Sequence, residues 1–210
     1  MSLPDTDAAA GAGPRANWEL TLKVSTADQT HELAAALAPM LDAGDLLVLT
    51  GELGAGKTTF TQGLGEGLGV RSGVISPTFV LVRIHPNLPD GPRPGGPDLV
   101  HVDAYRLGSA SEIDDIDLEN TMDSAVTVVE WGRGRVEHLS ESRLEIDLHR
   151  SIGLPATEPR SKAEAGEGEP EVLDFDTDDN DDEPRTIVMR GFGPRWASRP
   201  ALGGNIEGTA

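Results

Sequence analysis

Gly51-Glu52-Leu53-Gly54-Ala55-Gly56-Lys57-Thr58 matches the spacing G-x-x-x-x-G-K-[ST] at every fixed position, and no other stretch restricts the fold as tightly. The pattern needs a strand before it and a helix after it. Leu46-Leu47-Val48-Leu49 supplies the strand, and Thr59-Phe60-Thr61-Gln62 opens a helix. Glycines at 51, 54 and 56 permit a tight turn that brings backbone N–H groups against phosphate oxygens, at the positive end of the following helix. Glu52, Leu53, Gly54, Ala55, Gly56, Lys57, Thr58 and Thr59 are therefore the candidate nucleotide-binding residues. Lys57 reaches the β- and γ-phosphates, and Thr58 offers its hydroxyl to the accompanying Mg²⁺. The expected ligand is a nucleoside triphosphate.

Such a loop belongs in an α/β fold, a P-loop NTPase-like sheet flanked by helices, and 210 residues suffice for one such domain. Upstream, Trp18, Leu20, Leu22 and Val24 alternate as in a strand. Thr26-Ala27-Asp28-Gln29 has the form of a capping box, and Leu33, Leu37, Met40 and Leu41 share a helical face that Pro39 kinks or ends. The helix after the loop carries Gly63, Gly65 and Gly67, each costing about 1 kcal/mol of helix propensity. Either close packing on the sheet requires them or that helix is soft. Residues 74–82 read as a Ser-Pro-Thr turn entering a strand. Residues 86–97, with five prolines and three glycines, read as a loop without chemistry. A strand at 99–103, an acidic helix at 111–118 capped by Ser111, and an apolar strand at 125–129 follow. Segments 144–148 and 186–189 make an additional C-terminal strand pair.

A phosphate loop needs an acidic residue at the end of a neighbouring strand, to hold the metal or orient the nucleophile. Asp103 and Glu130 both end strands, and in a parallel sheet both fall at the carboxyl edge beside the loop. Thr78 either touches the metal or γ-phosphate or merely starts a strand. His101 reads as a structural histidine. Arg185, at the edge of the last strand, reads from sequence alone as a surface arginine.

The net charge of −19 is unevenly spread: residues 158–184 hold twelve acidic residues against Arg160 and Lys162, more than half of the excess. No Lys/Arg cluster marks a surface for DNA or RNA, so any tRNA contact must run through a partner. The expected organisation is a disordered leader over 1–16, one domain over 17–192 with an acidic disordered insertion at 155–184, and a flexible tail over 193–210. No apolar run approaches the ~20 residues that span a bilayer, and the start lacks a signal-peptide pattern. With no cysteine, disulfides and thiol catalysis are excluded. The expected location is cytoplasmic.

Gly51 to Phe60, then Ser76-Pro77-Thr78-Phe79, then His101-Val102-Asp103-Ala104-Tyr105-Arg106-Leu107, then Val129-Glu130-Trp131, in this order, resemble the bacterial TsaE (YjeE) family over roughly 18–190. The resemblance implies a small ATPase that binds ATP and Mg²⁺ and works with the TsaB and TsaD proteins, which hold the tRNA and transfer threonylcarbamoyl to adenosine 37. It further implies slow hydrolysis without those partners. Carried over by motif, Thr58 and Glu130 hold the metal, and Asp103 is the general base or water-orienting residue, acting with Lys57 in catalysis. Residues 76–78 form a nucleotide-responsive switch, and Arg185 contacts ATP. The proline-rich loop and the acidic insertion depart from the family's usual connections.

The competing reading is a small-molecule or nucleoside kinase on the same phosphate loop. Such kinases carry an arginine-rich lid, and only Arg133 and Arg135 approach one. A regulatory GTPase is disfavoured because no [NT]-K-x-D motif occurs. The acidic insertion lacks the apolar content to fold, and loop length costs little free energy. Deleting 157–182 is therefore expected to leave ATP affinity and turnover unchanged; a large loss of nucleotide binding in a titration would reveal a functional segment there.

Overall fold

The computed structural model describes residues 14–107, 109–114, 116, 118–150, 183–202 and 208–209. The expected leader and acidic insertion lie outside the described residues except for 14–16, 183 and 184.

Strand β1 (Trp18–Val24) buries Leu20, Leu22 and Val24 by the alternation that marked it. Helix α1 (Ala27–Leu37) starts where expected: the Thr26 hydroxyl accepts from the Gln29 N–H at 3.1 Å. The Gln29 side chain answers by accepting from the Ser25 N–H at 2.7 Å, one residue earlier than in a standard capping box. The chain then tightens into a 3-10 turn at Ala38–Met40, because Pro39 cannot donate within a helix. Strand β2 (Leu46–Gly51) follows and delivers the glycine-rich loop to α2 (Lys57–Leu68). Beyond lie β3 (Val82–His85), β4 (Asp98–Asp103), α3 (Ala110–Asp114), α4 (Glu119–Met122), β5 (Ala125–Glu130), β6 (Arg143–Arg150), β7 (Arg185–Phe192) and the short β8 (Gly208–Thr209).

These strands form one mixed sheet in the order β3-β4-β5-β2-β6-β7-β1-β8. The middle strands β4, β5, β2 and β6 run parallel, and the outer pairings are antiparallel. The expected C-terminal pair is β6 and β7, joined in register from Arg143↔Phe192 to Arg150↔Arg185. Central β2 is apolar without alternation because both its faces are covered. Leu47 and Leu49 join Val126, Val128, Ile146 and Phe60 in a core roofed by α1 and α2. Leu46 and Val48 join Val100, Val102, Val129 and Ile113 on the opposite face.

Several local expectations change. Residues 74–81 are not part of a strand; β3 begins only at Val82, after Leu81 takes a left-handed backbone with φ 65°. The acidic helix divides into α3 and α4, and it starts at Ala110, so Ser111 lies inside it. The Ser109 hydroxyl is the one that accepts from the Glu112 N–H, at 3.4 Å. The proline-rich loop is fastened to the body: Arg93 donates to the carbonyls of Leu41 at 2.7 Å and Ala38 at 3.3 Å and pairs with Asp42. The stretch expected to be a flexible tail from 193 instead packs at its start. Trp196 is buried, and its carbonyl accepts from the Trp18 indole at 2.9 Å. Arg195 reaches back to Asp45 and to the Met40 carbonyl. An apolar indole and a charged fork with fixed partners outweigh the entropy of a loose end. Among the described residues no helix is long and apolar enough to cross a membrane.

The glycines of α2 have a packing cause. A Cβ at Gly63 would lie 2.2 Å from the His31 carbonyl oxygen, and one at Gly67 would lie 2.6 Å from that of Ala35. Both face α1 rather than the sheet; only Gly65, against Val70, Val74 and Leu99, fits the expectation of close packing toward the sheet side. The two helices approach too closely for side chains between them. Gly63→Ala is therefore expected to lower unfolding free energy by about 1–3 kcal/mol despite its better helix propensity. Denaturant titration showing an unchanged or higher stability would mean the helices can part at no cost.

Candidate nucleotide and metal site

The parallel middle of the sheet sets the site's geometry. Asp103 pairs in register with Glu130, and Glu130 with Leu49, so two carboxylates and the start of the glycine-rich loop meet at one carboxyl edge. The loop turns sharply there. Gly56 takes φ 97° at the N-cap of α2, a conformation L side chains rarely hold. At Gly51 the constraint is space: a Cβ would lie 2.5 Å from the Leu148 carbonyl oxygen of β6.

Lys57 and Thr58, the first residues of α2, point different groups into the edge. The Lys57 ammonium is buried and donates to the carbonyl oxygens of Gly51 and Glu52, 2.9 Å from each. Its nitrogen lies 4.0 Å from the centre of the Trp131 ring, a cation over an aromatic face. Burial pushes the Lys57 pKa below its ordinary value, while the Glu130 and Asp103 carboxylates pull it back up. Thr58 donates its hydroxyl to Glu130 Oε1 at 3.1 Å. The same oxygen lies 2.8 Å from His101 Nε2, and both His101 and Glu130 are buried.

Asp103 anchors a second set of contacts. Its Oδ2 accepts from Thr78 at 2.8 Å and from Ser76 at 3.1 Å, and its Oδ1 accepts from the Tyr105 N–H at 3.0 Å. Thr78 thus touches the carboxylate itself and begins no strand, since β3 starts only at Val82. Tyr105 stands edge-on to Trp131 with ring centres 5.3 Å apart. Trp131 holds a left-handed backbone, φ 62°, while its N–H still bonds the Leu49 carbonyl at 2.9 Å. This turn swings the indole over the lysine.

Together these residues enclose a cavity of about 550 Å³, within the size range of small-molecule sites. Leu53, Gly54, Gly56, Lys57, Thr58, Thr78, Asp103 and Glu130 line it, alongside Ser76, Tyr105 and Trp131. Glu52, Ala55, Thr59 and Arg185 are outside that lining. Arg185 does reach the loop from β7: its Nε would be 3.6 Å from a Cβ on Gly56, and its Nη1 donates to the Glu183 carbonyl at 3.1 Å.

The profile of the TsaE family, described as threonylcarbamoyl adenosine biosynthesis protein, matches residues 24–154. A Streptomyces coelicolor protein named tRNA threonylcarbamoyladenosine biosynthesis protein TsaE is 55% identical over 169 residues, 80% of this chain and 94% of its own. The chain belongs to the TsaE family. The Mycobacterium tuberculosis TsaE is 43% identical over 136 residues, covering 62% of this chain and 79% of its own. Among solved structures, Bacillus subtilis YdiB superimposes with a TM-score of 0.55 at 27% identity, covering 84% of this chain and 87% of YdiB. All the cavity-lining residues lie inside the span matched by the TsaE profile, whereas Arg185 lies beyond it.

His101, Tyr105 and Trp131 join the site without having been assigned a role in it, whereas Ser76 joins it from the 76–78 segment that the family resemblance marked as a switch. One signal was present: His101 precedes Asp103 by two residues, so in a strand both face the same side. No pattern predicts the turn that brings Trp131 over Lys57. The bonds from Ser76 and Thr78 to Asp103 tie an otherwise irregular segment to the sheet. Ser76→Ala combined with Thr78→Val is expected to speed amide hydrogen exchange across 78–82 about tenfold or more, since bonds to a charged group contribute about 1.5–3 kcal/mol. Global stability should fall by no more than the same amount; equal exchange in both proteins would show that the segment is held by something else.

Proposed function

We propose that the chain binds Mg-ATP in this cavity and hydrolyses it slowly, as the P-loop ATPase that serves the proteins forming N6-threonylcarbamoyladenosine at position 37 of tRNA. The partners in this reading are TsaD and TsaB, with tRNA contacted only through them, and the setting is the cytoplasm. Family membership and the printed role of the Streptomyces and Mycobacterium relatives support the pathway. One observation carries the chemistry: Thr58 Oγ1 and Glu130 Oε1 meet at 3.1 Å directly beside Lys57, with Asp103 in register with Glu130.

The residues present suit the ion. A threonine hydroxyl and a carboxylate are hard oxygen donors, and Mg²⁺ usually takes one or two protein oxygens beside phosphate and water. In this reading Thr58 and Glu130 would hold Mg²⁺, which would supply positive charge against that of the phosphates. Lys57 exchanges the Gly51 and Glu52 carbonyls for phosphate oxygens, and the two carboxylates nearby favour its charged form against the cost of burial. Asp103 orients or deprotonates the attacking water, its carboxylate steadied from both oxygens by Tyr105, Ser76 and Thr78. Arg185, which lies beside Gly56, would contact the nucleotide from that side of the loop.

A kinase lid of arginines gains no support. Arg133 is paired with Asp147 and Glu145, and Arg135 donates to the carbonyls of Ala104 and Trp131.

The two carboxylates separate by experiment. Glu130→Gln is expected to weaken Mg-ATP binding and turnover together, whereas Asp103→Asn binds nearly as well as the parent yet hydrolyses ~10²-fold more slowly or worse. Calorimetry beside single-turnover hydrolysis decides this, and the opposite pattern reverses the roles. Lys57→Ala is expected to abolish detectable hydrolysis with unchanged circular dichroism. Undiminished turnover in Lys57→Ala removes the ATPase reading.

A further inference from the structure

His101 is a buried polar group that does not line the cavity yet bonds directly to a carboxylate that does. Its ring is fully buried on the α2 side of β4, in a layer otherwise made of Leu99, Val126 and Val128. A carboxylate oxygen accepts, so at 2.8 Å the Nε2–H donates to Glu130 Oε1. Nδ1 is buried with no hydrogen-bond partner among the described residues. An unpaired ring nitrogen in an apolar layer costs free energy that a leucine or valine would avoid. Space-filling alone therefore does not account for a histidine here.

We propose that His101 is a positioning residue for Glu130, setting which carboxylate oxygen turns toward a divalent cation. This rests on the reading of Glu130 as a metal ligand. The bonds from His101 and from Thr58 both fall on Oε1, so two donors on separate elements hold one oxygen of a residue that lines the cavity and neither of them occupies Oε2. The two donors are not equivalent. Thr58 lines the cavity and its hydroxyl must turn away from Glu130 to serve a cation itself. His101 does not line it. Its bond persists when Thr58 changes partner, and the carboxylate keeps its rotamer at the moment it would otherwise be released. Register explains why the residue is a histidine at this position. His101 lies opposite Val128, one pleat before the Asp103↔Glu130 pair, so its side chain must reach diagonally across the strands, at a length an imidazole Nε2 attains and a serine or threonine does not.

The test compares His101→Met, which keeps bulk without a donor, with His101→Gln, which keeps an N–H at similar reach. ATP binding is measured by calorimetry in EDTA and across a Mg²⁺ series, with turnover recorded over the same series. The expected result for His101→Met is a rise of about 10–100-fold in the Mg²⁺ needed for half-maximal binding, the usual effect of losing a partner of a ligating group. Affinity in EDTA should be unchanged, and His101→Gln should recover most of the loss. An unchanged Mg²⁺ requirement in His101→Met, where Glu130→Gln shifts it, overturns the positioning role while leaving the metal reading intact. If Glu130→Gln leaves it unchanged as well, the metal reading itself fails and the inference with it. Should His101→Met not fold, long-range ¹H–¹⁵N spectra of the parent decide: an Nε2–H tautomer retained with Mg-ATP bound supports the role, and an Nδ1–H tautomer overturns it.

Discussion

Parallel pairing of β2 with β5, and of β5 with β4, is the constraint on which the rest of the molecule depends. It places Gly51, Glu130 and Asp103 at one sheet edge in fixed register. Because side chains alternate along a strand, the register also decides that His101, Asp103 and Glu130 face the side covered by α2, where Lys57 and Thr58 begin. A shift of one residue in either pairing would turn these groups into the opposite apolar layer. The buried, unbroken apolar run of β2 protects against such a slip, since any displacement would bring polar neighbours into the core.

The site gathers opposite charges under limited access to water. A buried ammonium close to two carboxylates carries a desolvation cost that each partner partly offsets, and two backbone carbonyls and an aromatic face complete its surroundings. Glu130 is matched by two donors on one oxygen, and Asp103 by three over both of its oxygens. Every element that meets the edge thus contributes a group that fixes another. In the proposed function this preorganisation lets the loop receive phosphate without rebuilding the carboxylates around it.

The body around this edge is less modular than a loop-and-strand reading implies. Arg93 ties the proline-rich loop to the end of α1, and Arg195 ties the segment after β7 to Asp45 at the start of β2. On the sheet face away from α1 and α2, Arg133, Arg143 and Arg190 bridge Glu145, Asp147 and Glu19. The exposed Arg190–Glu19 pair contributes little, whereas Arg143, Glu145 and Asp147 are buried and need their partners to offset desolvation; together they cover the polar face of β6, β7 and β1. The arginines are thereby engaged with carboxylates and carbonyls rather than gathered over the cavity.

The local sequence determined what depends on local chemistry. Glycine spacing set the loop, alternation set β1, a capping threonine and Pro39 set the limits of α1, and an unbroken apolar run marked β2 as central. It also placed Asp103 and Glu130 at strand ends, since a strand's last residue is read from its own pattern. Only the tertiary structure decided which residues meet. The antiparallel attachment of β3, the positive φ at Trp131 and the close contact that demands Gly63 and Gly67 all arise between segments distant in the chain. His101 shows the division most clearly: its strand and its face follow from period-two alternation, but its partner, Glu130, is 29 residues away, and pairing register between β4 and β5 is a property of two strands that neither encodes alone.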